Sequence, residues 1–213
     1  MSRTRKPSPT SAVRLNRREQ NKLDKLRRIK ASSRELFLRK GYEEATMREI
    51  AQHAGVGLGT LFSYAADKRD LLFLIYNDEL QRVTEAGFLD PGGSKSFLAK
   101  VIDAFSGYYE FFAREPEFMR QVLREILYYS TGPEAPRIRR GREIMVSGLI
   151  AIVADARARG QISSSAKDSV IAGVIFEIYQ GEVRRWLMDF KPDPSEGVRR
   201  LRVALRLLCE GIT

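Results

Sequence analysis

Positions 46–65 read TMREIAQHAGVGLGTLFSYA, and the fold turns on this stretch. Thr46 and Glu49 have the T-x-x-E spacing of a capping box, in which two free amide donors at a helix start are satisfied reciprocally. Met47, Ile50, Ala51 and Ala54 recur at three- and four-residue steps, so a helix with one buried face is predicted over 47–54. Gly55 interrupts it. A second short helix is predicted over 58–65, with Leu61 and Phe62 facing inward or along the edge. Two short helices joined by a glycine turn make a helix-turn-helix, whose second helix stands clear of the body and can enter a major groove. The lone histidine, His53, lies inside this unit and has no companion set for metal or catalysis.

Outward from this unit, charge is distributed unevenly. Of the net charge of +10, residues 1–30 supply eleven basic and two acidic side chains, while the remainder is almost neutral. Residues 1–18, with Pro7 and Pro9 among the arginines, read as a flexible basic arm. Such asymmetry points to a polyanionic partner, either double-stranded DNA or an anionic membrane surface. The arm offers only Val13 and Leu15 as large apolar residues, too few for a membrane-inserting helix, so no membrane partner is expected. No apolar run approaches the roughly 20 residues of a bilayer span. With one cysteine, Cys209, no intrachain disulfide can form, and a cytoplasmic location is expected. One His, one Cys, no G-x-S-x-G and no Walker loop argue against an enzyme, a cofactor or a metal, with only a carboxylate mechanism formally open.

The rest of the chain has helical periodicity and no alternating strand pattern. A first helix is predicted over 20–40, closed by Lys40 and Gly41, and a fourth over 68–86 with Asp67 as its cap. A dense turn follows at 90–94. Further helices are predicted from 96 to before Pro116, then over 117–130, 137–159, 166–190 and 195–210, with Ser165 and Asp168 as a capping pair for 166–190. The fold class is all-α: an N-terminal three-helix helix-turn-helix domain over 19–68 and a C-terminal helical domain over 69–213.

Residues 29–72 resemble the N-terminal domain of TetR-family regulators. The matching pieces are LF-x-x-x-GY from Leu36 to Tyr42, IA-x-x-AGV from Ile50 to Val56, GTLF-x-Y from Gly59 to Tyr64 and K-x-x-LL from Lys68 to Leu72. The resemblance implies a DNA-binding surface. In it Thr46 presents helix-start amides to a phosphate, and Arg48 reaches a base edge, as bidentate guanine recognition suits arginine. Leu58, Gly59 and Thr60 occupy the first turn of the recognition helix, and Phe62, Ser63, Tyr64 and Lys68 complete the set. Phe62 replaces a frequent tyrosine and loses a hydroxyl for phosphate. Gly57 replaces the usual Ser or Thr cap, and Ala65 replaces a usual aromatic, which thins the packing.

For the remainder, the resemblance is one of architecture. It implies a homodimer through helices 166–190 and 195–210, with Val170, Val174, Ile178, Leu201, Leu205 and Leu208 as candidate seam residues. It also implies a repressor released by a small-molecule ligand that moves the fourth helix. Aromatics with polar tips suit a flat or greasy ligand, which makes Phe105, Tyr109, Tyr128 and Tyr179 the candidate ligand-binding residues, against the competing reading that a helical stripe is simply core.

Overall fold

A computed structural model describes residues 16–89 and 95–212, which form α-helices with no β-strand among them. Most of the basic arm and the turn expected at 90–94 lie outside the described residues. In chain order the helices are α1 (Arg17–Lys40), α2 (Met47–His53), α3 (Leu58–Phe62), α4 (Lys68–Phe88), α5 (Phe97–Ala113), α6 (Pro116–Ile126), α7 (Ala135–Ala158), α8 (Asp168–Leu187) and α9 (Pro194–Ile212). None of them is long and apolar enough to cross a membrane.

Helix α1 starts earlier than periodicity alone indicates because Asn16 caps it. The Asn16 side chain accepts from the Arg18 amide at 3.0 Å, and Glu19 accepts from the Asn16 amide at 3.0 Å. The helix ends at Gly41, whose φ of 87° lies in the left-handed region that favours glycine. Helix α2 opens with the expected box: Thr46 Oγ1 accepts from the Glu49 amide at 3.2 Å, and Glu49 accepts from the Thr46 amide at 3.1 Å. Gly55 makes the turn with φ 62°, and the Arg28 guanidinium donates to its carbonyl at 3.5 Å. Gly57 leaves α3 without a side-chain cap. Asp67 caps α4 by accepting from the Asp70 amide at 2.9 Å.

Three expectations are corrected. Helix α3 stops at Phe62 rather than 65, because the chain turns at Ser63, whose hydroxyl donates to the Thr60 carbonyl at 2.6 Å. Helix α6 stops at Ile126 rather than 130, so the two following tyrosines exchange roles: Tyr129 is buried and Tyr128 is 79% exposed. Ser165 and Asp168 form no cap for α8. Lys167 takes that position without a side-chain bond, and Asp168 instead accepts from Arg157 Nε at 2.8 Å.

The body packs around α5, which lies against α4, α7, α8 and α9. Its centre is aromatic. Phe105 stacks on Tyr179 with ring centroids 3.9 Å apart, and Tyr109 meets the edge of Trp186 at 4.8 Å. The Trp186 indole donates to the Asp193 carbonyl at 2.8 Å, as a buried indole N–H requires. Helix α9 approaches this cluster through Gly197, where any Cβ would clash with the edge of the Tyr109 ring. The Tyr109 hydroxyl is buried without a hydrogen-bond partner among the described residues. Substitutions at these two positions should therefore have opposite signs in urea denaturation. Gly197→Ala should lose about 1–3 kcal/mol by overpacking. Tyr109→Phe, which removes an unmet donor, should be neutral or gain up to about 1 kcal/mol. A destabilised Tyr109→Phe would mean that the hydroxyl has a partner.

Candidate nucleic-acid interface and effector cavity

The exposed side of the helix-turn-helix carries most of the expected residues. Thr46, Arg48, Gly59, Phe62 and Ser63 are all exposed, while Leu58 and Thr60 are half-buried at the base of α3. Phe62 is 48% exposed although its neighbour Leu61 is fully buried, so α3 presents one apolar ring outward. Arg48 has no ion-pair partner among the described residues, and nothing lies within 4 Å of where a Cβ on Gly59 would sit. The first half of α1 adds exposed Lys22, Lys25 and Arg28 beside this unit.

Two expected residues are occupied inside the domain. Lys68 Nζ donates to the carbonyls of Tyr42 and Glu43 at 2.9 and 2.8 Å and sits 4.9 Å from the Tyr42 ring centroid. The Tyr64 hydroxyl, half-buried, donates to the Lys22 carbonyl at 3.4 Å. Both therefore clamp α1 and its following turn to the helix-turn-helix. Glu49 is likewise committed. Hydrogen bonds from Lys40 and from Thr46 hold its carboxyl down to about 2.

Polar groups join this unit to the body along α4. Asp70 is buried, accepts from the Ala66 amide at 2.8 Å and also takes the Tyr129 hydroxyl. Arg34 of α1 and Tyr76 of α4 both donate to Glu115, at 2.7 and 2.6 Å. One turn further, the Asp78 carboxylate is shared: Oδ2 accepts from Lys30 of α1 at 2.6 Å and Oδ1 from Arg137 of α7 at 2.6 Å. Burial pushes the Asp78 carboxyl up, and the hydrogen bonds from Lys30 and Arg137 outweigh it, leaving a net downward shift. Arg137 also donates to Glu134 at 3.2 Å, and Glu134 accepts from Asn77 at 2.6 Å.

Arg137 is at the same time part of a cavity wall. The cavity, about 130 Å³, lies between α4, the end of α6, α7 and α8. Leu80, Ile126, Ile138, Met145 and Phe176 give it an apolar lining, and Arg137, Arg142 and Arg184 add positive charge. The Arg142 guanidinium lies 5.3 Å from the Phe176 ring centroid. None of Phe105, Tyr109, Tyr128 and Tyr179 is on this wall. The first, second and fourth fill the closed aromatic core, and Tyr128 points to solvent because α6 ends before it. The arginines that do line it come from the 136–142 stretch PRIRRGR and from α8, and only folding brings them together.

The outer face of α8 and α9 is apolar and open. Val170, Val174, Val203 and Leu207 are exposed, whereas Leu201 and Leu205 are buried within the subunit. The latter two are therefore intrachain core and not seam residues, while Ile178 and Leu208 are half-buried between the two sets.

Residues 29–75 match the family model of bacterial regulatory proteins of the tetR family. The transcriptional repressor KstR of Rhodococcus jostii is 23% identical over 185 residues, which is 87% of this chain and 82% of that protein. A transcriptional regulator of Staphylococcus aureus is 34% identical over 58 residues, 27% of this chain and 31% of that one. Among solved structures, the TetR-family repressor FadR of Thermus thermophilus in complex with lauroyl-CoA covers 88% of this chain and 95% of its own, with 24% identity and a TM-score of 0.64. FadR of Bacillus subtilis in complex with stearoyl-CoA covers 88% and 99%, with 20% identity and a TM-score of 0.66. These two share the fold, and the family model falls on the very segment that carries the helix-turn-helix and its exposed arginine: residues 29–75 form a DNA-binding domain of the TetR-family type.

Proposed function

We propose that the protein is a homodimeric repressor that binds a near-palindromic DNA site and is released from it by a small molecule. The observation that carries this reading is the exposed face of α2 and α3. It places an unpaired arginine beside a short helix whose Gly59 and small polar side chains leave room for a base pair. In this reading Arg48 reads a base, with Thr60 and Ser63 beside it, and Phe62 meets a thymine methyl or a sugar. Gly59 lets the backbone of α3 come close to the duplex. Tyr64 and Lys68 act indirectly, by fixing the angle between α1 and the helix-turn-helix, with Thr46 as the cap of α2. Residues 1–18 supply sequence-independent phosphate contacts, and 69–213 form the dimerisation and effector domain.

Two copies joined through α8 and α9 would place two recognition helices in successive major grooves, roughly 34 Å apart. The open Val170, Val174, Val203 and Leu207 surface supports that pairing, since apolar residues left in water on two adjacent helices mark an association face. The cavity beside α4 supports release by a small molecule, as do the acyl-CoA complexes of the two FadR proteins.

Selection of bound duplexes from a random pool at near-physiological salt tests the DNA reading. An inverted repeat with half-sites about 10 bp apart, centre to centre, should be enriched. Arg48→Ala should cost about 1–3 kcal/mol on that site and relax one base position, while changing non-specific binding little. Binding without an enriched sequence would leave only a basic arm on phosphate. In sedimentation, Leu207→Glu should convert dimer to monomer with an unchanged helical spectrum and should abolish binding to the full repeat. A variant that stays dimeric would move the interface away from α8 and α9.

A further inference from the structure

The cavity and the joint between the two domains share a residue. Arg137 lines the cavity from α7, yet its Nη2 is the donor that holds Asp78 at 2.6 Å, and the other oxygen of Asp78 holds Lys30 of α1 at 2.6 Å. The charges along this chain, Lys30, Asp78, Arg137 and Glu134, sum to zero. Arg142 and Arg184 stand on the same cavity wall with no carboxylate partner among the described residues, so the cavity has two positive charges beyond the compensated set. The remaining wall is mostly aliphatic and aromatic. A cavity of about 130 Å³ with this lining suits a short apolar tail, being close in size to the ~150 Å³ apolar cavity that admits benzene. Guanidinium groups select carboxylate or phosphate, because both match their planar fork of donors.

We propose that the cavity takes an amphiphile with an anionic head, and that this head is bound by Arg137 together with Arg142 and Arg184, drawing Arg137 away from Asp78. Asp78 then loses its anchor on α7, and the Lys30–Asp78 pair ties α1 to α4 alone, no longer through to α7. Arg137 is thus both a ligand-binding residue and the positioning residue through which occupancy reaches the DNA-binding unit. This rests on the release reading given above and adds to it the ligand's charge and the route.

The test uses the full-length protein and four probes with one tail: octanoate, octyl phosphate, octan-1-ol and octylamine. Calorimetry measures their binding, and fluorescence anisotropy measures their effect on affinity for the selected duplex. Octanoate or octyl phosphate should bind at least about tenfold tighter than octanol, and octylamine should bind worst. The stronger of the two anions identifies carboxylate or phosphate as the head. Arg137→Ala should weaken the anion about tenfold and leave octanol unchanged, with Arg137→Lys recovering part of the loss. In Lys30→Gln the anion should still bind, but its weakening of duplex affinity should fall below about twofold. Thermal melts of each variant separate these effects from unfolding, and the lysine variant keeps the test valid if the alanine variant fails to fold. Octanol binding as well as the anions, or an anion indifferent to both Arg137 variants, overturns the proposal while leaving ligand release intact. Full release in Lys30→Gln overturns the route. If none of the four binds, the cavity is not an effector site and both readings fall, whereas the duplex selection stands on its own.

Discussion

Burial of α4 on both sides is the constraint from which the rest of the structure follows. About two of its turns, from Asp70 to Asn77, are buried almost without a break, and Thr84 and Phe88 continue the burial toward the far end. Over 70–77 the helix has almost no solvent face to relax into. Here it is covered by α1 on one side and by α5 and α7 on the other, so a single element belongs to two cores. The polar residues it carries must then find partners inside. Asp70 takes the Ala66 amide and the Tyr129 hydroxyl, Asn77 donates to Glu134, and the Thr84 hydroxyl donates to the Leu80 carbonyl at 2.8 Å and lies 2.5 Å from the Tyr108 hydroxyl.

The strength of the joint changes along α4. At its start the contacts are buried, and breaking one leaves an uncompensated group at a cost of about 1–3 kcal/mol. At Asp78 the partners are half in water: the side chains of Lys30, Asp78 and Arg137 are 22%, 47% and 36% exposed. Ion pairs with that much solvent contribute at most about 1 kcal/mol each. The joint is thus firm near the helix-turn-helix and weak beside the cavity. A small molecule with modest differential affinity has enough free energy to break the weak end, and not the firm one.

Local chemistry was readable in the sequence wherever a few neighbouring residues decide it. The Thr46–Glu49 box, the Gly55 turn, the Asp67 cap and the family motif all follow from short-range rules, and all the helices have the expected order. Where the structure differs, the deciding partner is distant or the pattern is degenerate. Helix α6 has no glycine or proline at its end, the nearest being Gly132 and Pro133, so periodicity ran on through Tyr128. Helix α9 has apolar residues at 201, 205 and 208 and again at 203 and 207, both at helical spacing. Spacing cannot say which set faces its own subunit; packing of Leu201 and Leu205 into the body settles it. The aromatic stripe of α5 suits a ligand site on composition, but Phe105 stacks on Tyr179, Tyr109 meets Tyr179 edge-on, and all three are buried in the core. The cavity draws on four separate helices, and its arginines looked like ordinary solvated charge.

The clamps inside the DNA-binding unit explain why a signal has to reach it as a rigid movement. Lys68 is tied to the carbonyls after α1, Tyr64 to Lys22, Glu49 to both Lys40 and Thr46, and Arg28 to the turn at Gly55. These ties link α1, α2, α3 and the start of α4 to one another, so bending the recognition helix alone would break several of them at once. Rotation of the whole unit strains what joins it to the body: the pairs at Asp78 and Glu115, the Asp70–Tyr129 bond and the Phe37–Phe118 ring contact. In a dimer a small rotation at that joint is magnified at the DNA, because the recognition helices lie at the far ends of the lever. A fixed spacing of about 34 Å between grooves tolerates little error, so in the proposed dimer a change of head spacing weakens binding even when each half-site contact could still be made.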